Sequence, residues 1–213
     1  MPNSTTGLVT SGTSMATVIA LKVARDRALE LHDNSTLVGY TSEQTHNCIA
    51  KAFDLLGIPV SALRKVPCDS NFEMDIKKLE QTIEKDISNN LHPFTLIGNA
   101  GTVNTGSIDN LDKLADIAHK NDIWYHIDGA FGSAAILSKT AQHRLKGLGR
   151  ADSIAFDFHK WWQVNYEAGC VLIKDHILHK KSFANRPEYL KYYEEGLAGG
   201  DFWAMDYGPE LSR

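Results

Sequence analysis

An α/β domain built on a mostly parallel seven-stranded sheet with one antiparallel strand is the fold the sequence predicts, on three observations. Short runs rich in β-branched and aromatic residues alternate with longer runs whose apolar residues recur at helical spacing. Strand followed by helix is the pattern of βαβ units, whose right-handed crossovers lay strands side by side in parallel. One step, from "DSIAFDF" to "AGCVLIKD", is too short for a helical crossover, so that last pair should be antiparallel neighbours.

The elements follow in order. "GLVTS" (7–11) reads as a short strand, and "TSMATVIALKVARDRALEL" (13–31) as a helix. "TLVGYT" (36–41) is a strand, and "HNCIAKAFDLLG" (46–57) a helix closed by Gly57. "VSALRKV" (60–66) is a strand, "DIKKLEQTIEKDIS" (75–88) an amphipathic helix, and "FTLIGNAG" (94–101) a buried strand. "NLDKLADIAHKND" (110–122) is a helix, and "IWYHIDGA" (123–130) and "DSIAFDF" (152–158) are strands with a helical crossover expected between them. "AGCVLIKD" (168–175) completes the sheet. The α/β rhythm therefore occupies residues 1–176, and 177–213 reads as an excursion from it, mixing a polar helix-like segment with Gly199-Gly200 and aromatic residues.

Composition narrows the function. At 213 residues and 43% hydrophobic, the chain can build a substantial core. A formal net charge of -4 argues against a nucleic-acid backbone or an anionic membrane surface as the main partner, which leaves small molecules or other proteins. No apolar run is long enough to span a bilayer, and the first residues carry neither a basic nor an apolar signal region. The three cysteines are scattered without disulfide-framework or zinc spacing, so a cytoplasmic location is expected. Nine histidines include "HILH" at 176–179, but no carboxylate or thiol stands at ligand spacing, and no metal is expected.

The unusual polar residues fall at one edge of this sheet, the carboxyl ends of the strands, where open α/β folds bind ligands. "TSGTSMA" (10–16) links the first strand to the first helix, so the amides of Gly12, Thr13 and Ser14 point out of a helix N-terminus. Such a loop is either an ordinary Ser/Thr cap or an anion site suited to phosphate. His46 follows the second strand, Asp128 ends "IWYHID", and Lys160 follows "DSIAFDF". A lysine between two apolar runs either marks the solvent end of a strand or is held in a pocket for chemistry. One cofactor needs all four features. Pyridoxal phosphate carries a phosphate, a ring nitrogen kept protonated by a carboxylate, a flat ring that stacks on an imidazole, and an aldehyde that condenses with a lysine.

With these residues in place, the sequence resembles the group II pyridoxal-phosphate-dependent amino acid decarboxylases, the family of aromatic-L-amino-acid, histidine and glutamate decarboxylases. The matching stretches are "TSGTSMA", "SEQTHN", "GTVNTGSIDNLDKLADIAHKNDIWYHIDGAFG" and "ADSIAFDFHKW". The resemblance implies a type I pyridoxal-phosphate-dependent transferase fold, aspartate-aminotransferase-like, and the conversion of an L-amino acid to an amine and carbon dioxide. It makes Lys160 the Schiff-base lysine, Asp128 the partner of the ring nitrogen, His46 the stacking residue, and His159 a neighbour of the phosphate and the substrate carboxylate. Gly12, Thr13, Ser14, Thr102, Ala130 and Ser153 complete the implied cofactor-binding set. A homodimer with a shared active site is implied as well.

Three departures stand out. Val103 replaces a threonine hydroxyl commonly near the cofactor, Asp157 stands where some members have an asparagine near the phosphate, and the catalytic-loop tyrosine has only Tyr192, Tyr193 and Tyr207 as candidates. Family members are about twice as long, so this chain reads as their large cofactor domain without the N-terminal arm and small C-terminal domain. Weak cofactor binding and negligible turnover are expected of it in isolation. Another type I enzyme, such as an aminotransferase or carbon-sulfur lyase, and a non-catalytic fragment that binds the cofactor are the rival readings.

Overall fold

The structure, a computed structural model, describes residues 4–184 and 206–209. Seven strands form one sheet: β1 (Thr6–Thr10), β2 (Leu37–Ser42), β3 (Leu63–Val66), β4 (His92–Asn99), β5 (Trp124–Asp128), β6 (Ser153–Asp157) and β7 (Gly169–Ile173). Five α-helices accompany them among the described residues: α1 (Thr13–Leu29), α2 (Cys48–Leu55), α3 (Ile76–Ser88), α4 (Leu111–Lys120) and α5 (His176–Phe183). The sheet order is β1-β7-β6-β5-β4-β2-β3. Strand β7 runs antiparallel to both neighbours, β1 and β6, and the remaining pairs are parallel. The expected single antiparallel strand is therefore β7, which returns directly from β6 as the short connection requires.

Both faces of the sheet are covered. Helices α1, α2 and α5 lie over one face, where Ile19, Leu21, Val23, Ile49, Phe53 and Trp124 are buried together. Helices α3 and α4 lie over the other, packing Leu79, Ile83, Leu114 and Ile117 against Tyr40, Leu96 and Tyr125. Because both faces are covered, β2, β5 and β6 are buried at every residue and read as continuous apolar runs rather than alternating ones. Helix α1 has buried residues around most of its circumference, since the sheet, α2 and α5 all pack on it. Its position is consequently fixed by packing on several sides, which matters for what lies at its N-terminus.

Two expectations are corrected. The crossover from β5 to β6 holds no α-helix but three 3-10 segments, Gly132–Leu137, Gln142–Leu145 and Leu148–Arg150. Gly147 and Gly149 interrupt any longer helical pattern there, and Gly147 has φ 97°, a left-handed conformation that ends a helical run. The third strand begins at Leu63 rather than Val60, because Pro59 opens a 3-10 turn in which its carbonyl accepts from the Ala62 N–H. In the "HILH" stretch, His179 is fully buried between Thr6, at 2.8 Å from its Nδ1, and the Tyr207 carbonyl, at 2.6 Å from its Nε2. Burial pushes its pKa down to about 4, so this histidine is a neutral core residue. Among the described residues, no cluster of three or more histidine, cysteine, aspartate or glutamate side chains is placed to hold a metal ion.

Candidate active site

A cavity of about 460 Å³ opens at the carboxyl ends of β1, β4, β5 and β6. It gathers Gly12, Thr13, Ser14, His46, Thr102, Asp128, Ala130, His159 and Lys160 on one lining. Residues up to 148 positions apart in the chain meet there because each lies at the carboxyl end of a strand or in the loop and helix start that follow it.

The α1 N-terminus forms one wall. Gly12 precedes the helix in an extended conformation and offers no side-chain cap. The first helical amide, Thr13 N–H, instead donates to Asp157 Oδ1 at 2.6 Å. The Thr13 hydroxyl is buried and has no hydrogen-bond partner among the described residues. An orphaned hydroxyl beside the amide end of a 17-residue helix is a donor waiting for an acceptor, and an anionic oxygen is the acceptor this end of a helix favours. The wall is built closely: Gly169, opening β7, approaches the Gly12 backbone so tightly that a Cβ there would lie 2.4 Å from Gly12 Cα.

Asp128 forms the floor. It ends β5, is 6% exposed, and accepts the Ala130 N–H on Oδ1 at 3.1 Å. Burial raises its pKa; the Ala130 amide, Lys160 and His46 oppose that shift, and the charge of Asp157 adds to it. A protonated ring nitrogen is the kind of opposite charge that brings such a carboxylate back toward ionisation. Cys48 Sγ lies 3.8 Å from Asp128 Oδ2, and its thiol is pushed up to about 12, first by burial and then by the Asp128 charge. His46 is exposed at the mouth, where its Nδ1 accepts the Cys48 N–H at 3.2 Å and fixes the ring at the start of α2.

Lys160 lies just beyond β6 with its side chain 24% exposed. Its Nζ contacts Asp157 Oδ2 at 2.7 Å and sits 4.4 Å from the centroid of the Phe131 ring, which answers whether this lysine is a solvent-facing strand end. It is directed into the cavity. His159 is held by the Ala168 N–H on Nδ1 at 2.9 Å and by stacking on Tyr166, which leaves Nε2 facing Asp157 Oδ2 at 3.7 Å.

Ser153 is not brought to the cavity. It opens β6 four residues before Asp157, about 13 Å along a strand. Its hydroxyl is taken inside the sheet by Trp124 Nε1 and His126 Nδ1, both at 2.8 Å. Thr102 lines the cavity, but its hydroxyl is engaged within its own loop by Thr105 at 2.6 Å and Ser107 at 2.9 Å. Tyr207 is 4% exposed, packed edge-on against His179 away from the cavity, while Tyr192 and Tyr193 lie outside the described residues.

Sequence reasoning missed Asn99, Asp109, Phe131 and Tyr166. Buried Asp109 accepts from the Asn99 amide at 2.8 Å, the Asn99 side chain at 2.9 Å and the Met74 amide at 2.7 Å, clamping Asn99 at the end of β4 on the cavity rim. The signal was present. A polar residue closing an apolar strand singled out Asp128, and Asn99 closes β4 in the same way.

A mixed α/β sheet that collects a lysine, a buried carboxylate, an imidazole and a helix N-terminus with a free hydroxyl defines a domain suited to pyridoxal phosphate. Comparison with known proteins gives the group. The profile of the Pyridoxal-dependent decarboxylase conserved domain matches residues 2–209, and the chain belongs to that family. It is 39% identical over 212 residues to an aromatic-L-amino-acid decarboxylase of Bacillus atrophaeus, covering 100% of this chain and 44% of the relative. It is 34% identical to tryptophan decarboxylase 2 of Oryza sativa subsp. japonica, covering 87% and 38%. Similar solved structures include the Rhodiola rosea 4-hydroxyphenylacetaldehyde synthase (TM-score 0.86, 29% identity, 99% of this chain and 43% of that one). Another is the Oryza sativa TDC with PLP and tryptamine (TM-score 0.85, 28% identity, 89% and 40%). The chain spans less than half the length of these relatives.

Proposed function

We propose that this chain is the cofactor-binding part of an enzyme that removes the carboxyl group of an L-amino acid, releasing carbon dioxide and the amine. The observation that carries this reading is the convergence of Lys160, Asp128, His46 and the α1 N-terminus on one cavity. When bound, pyridoxal phosphate supplies an electron-withdrawing ring that accepts the electron pair left as the carboxyl group departs.

The chain's own residues divide the remaining work. The Thr13 and Ser14 end of α1 holds the phosphate by amide and hydroxyl donors, with its orphaned Thr13 hydroxyl the best-placed side-chain donor. Lys160 Nζ would be the amine that anchors the cofactor covalently. Asp128 holds a proton on the ring nitrogen. As a buried carboxylate fixed by the Ala130 amide, it would offer that proton a pre-positioned negative charge that needs no reorganisation. His46 presents its flat face at the mouth, and His159, fixed by Ala168 and Tyr166, directs Nε2–H toward the anionic groups of the site.

Aromatic L-amino acids are the first substrates to test, since two of the relatives named above are an aromatic-L-amino-acid decarboxylase and a tryptophan decarboxylase. Val103 and Tyr166 at the cavity and Trp161 in the adjoining pocket that also holds Val103 and Phe131, each more than half exposed, present apolar surface that a second copy of the chain would cover, which supports a homodimer. The free thiols of Cys48, Cys68 and Cys170 suit the reducing cytoplasm. None of the described helices is long and apolar enough to cross a membrane. The test is labelling. After incubation with pyridoxal phosphate the chain should absorb in the violet, and borohydride should fix the label on the peptide containing Lys160; label on another lysine overturns the assignment.

A further inference from the structure

Resting on the cofactor reading above, one residue of the cavity has a role that the site description does not absorb. Asp157 ends β6, is 2% exposed, and spends both carboxylate oxygens on groups the cofactor needs. Oδ1 takes the Thr13 N–H at 2.6 Å, the first amide of α1. Oδ2 takes Lys160 Nζ at 2.7 Å and faces His159 Nε2 at 3.7 Å. A carboxylate at a helix N-terminus makes the same interactions as a phosphate oxygen would, with partial positive charge from the helix and a donated amide proton. Gly12, with no side chain, cannot supply the cap itself, so Asp157 serves as the cap of α1 from across the sheet.

The charge balance of the lining sharpens the point. Asp128, Asp157 and Glu167 face Lys160 as the single lysine or arginine among the described lining residues, with His46 and His159 beside it. A phosphate entering this cavity meets more carboxylates than fixed cations, and the nearest one already occupies its amide.

We infer that Asp157 is an internal competitor of phosphate esters at the α1 N-terminus, and that it sets how tightly this chain holds its cofactor. Binding the phosphate requires the Asp157 carboxylate to give up the Thr13 amide. Removing the charge while keeping an oxygen for that amide should therefore tighten phosphate binding. The effect should be confined to ligands that carry a phosphate.

The experiment compares the 213-residue chain with Asp157→Asn and Asp157→Ser, titrating inorganic phosphate, pyridoxal phosphate and pyridoxal by calorimetry, with thermal melts alongside. Asparagine keeps the Oδ1 acceptor, and the smaller serine serves if asparagine disturbs folding. The expected result is that both variants bind inorganic phosphate and pyridoxal phosphate about tenfold or more tightly, while pyridoxal affinity stays within about twofold. Equal or weaker phosphate binding in variants that melt like the parent overturns the competition. Tighter inorganic phosphate without covalent attachment at Lys160 keeps the competition and overturns the cofactor reading. Attachment at Lys160 with phosphate affinity unchanged does the reverse.

Discussion

Replacing Gly169 by alanine tests whether the α1 N-terminus is held in place by backbone-to-backbone contact. Gly169 pairs with Thr10 of β1 on one side and Asp157 of β6 on the other, so it lies directly beneath the loop that carries Gly12. A Cβ added there would lie 2.4, 2.6 and 2.8 Å from the Gly12 Cα, carbonyl carbon and nitrogen. Carbon atoms rest at about 3.5–4.0 Å, so the loop or β7 must yield by about 1 Å. The loop resists, because Thr10 Oγ1 is bonded to the Gly12 carbonyl at 3.1 Å and α1 is packed on several sides. Overpacking of this kind costs about 1–3 kcal/mol, which lowers the melting temperature by about 2–4 °C per kcal/mol in a chain of this size. The Thr13 amide moves with the loop, so pyridoxal phosphate affinity should fall by about tenfold or more, given how steeply a shift of about 1 Å weakens positioned contacts. Gly12→Ala is the internal control. Its backbone is extended and its Cβ would stand 3.6 Å from Asp157 Oδ1 and from His159 Cε1, an ordinary separation. It should melt within about 2 °C of the parent, yet bind phosphate less well because the methyl group projects beside the anion position. Calorimetry and a thermal melt on both variants suffice. A Gly169→Ala chain that melts and binds like the parent refutes the packing argument, as does a Gly12→Ala chain that loses more stability.

Asp128→Asn keeps size and shape but removes the charge proposed to face the ring nitrogen, so label should still reach Lys160 while carbon dioxide release by the enzyme falls by about 10³-fold, equivalent to about 4 kcal/mol. A rate within a factor of two of the parent would remove Asp128 from the mechanism. Buried His179 has its pKa lowered to about 4, so below pH 6.5 the unfolded chain binds a proton that the folded chain refuses, and stability is lost as pH falls, by about 1.4 kcal/mol per unit down to about pH 4. His126, lowered to about 3, acts in the same direction, whereas buried Asp109 and Asp128, whose pKa values are raised, oppose it by taking up protons in the folded state first. The His179 share is therefore the difference in urea midpoints between the parent and His179→Gln at pH 6.5 and 5, and a difference that does not change between them contradicts its burial as a neutral ring.

Much of the fold was legible because helical and strand periodicities survive in single segments, and the short β6–β7 connection has one geometric solution. The β5–β6 crossover was not legible as 3-10 turns, since its apolar residues Ile136, Leu137, Leu145 and Leu148 suggest a helix that only Gly147 and its neighbours interrupt. The site was legible as a set: Lys160, Asp128, His46 and the "TSGTSMA" loop each end or follow a strand, and strand ends in such a sheet share one edge. Ser153 failed by the same logic, because it begins its strand and parallel register places it beside His126, two residues short of Asp128.

What local pattern could not assign is which polar residue at a strand end does what. Asn99, Asp128 and Asp157 close β4, β5 and β6 with the same local signature, a polar residue after an apolar run. Their roles diverge only through partners far along the chain. Asp109, ten residues on, clamps Asn99 to the rim. Asp128 has the Ala130 amide and the Cys48 thiol, with no cation in direct contact among the described residues, and its pKa is raised on the cavity floor. Asp157 meets the α1 amide 144 residues away and the lysine three residues on. The role proposed for an acid at a strand end, partner for the ring nitrogen or rival to the phosphate, thus depends on which helix terminus the sheet order brings above it. Here β7, inserted between β1 and β6, sets the spacing that lets α1 reach Asp157 rather than Asp128.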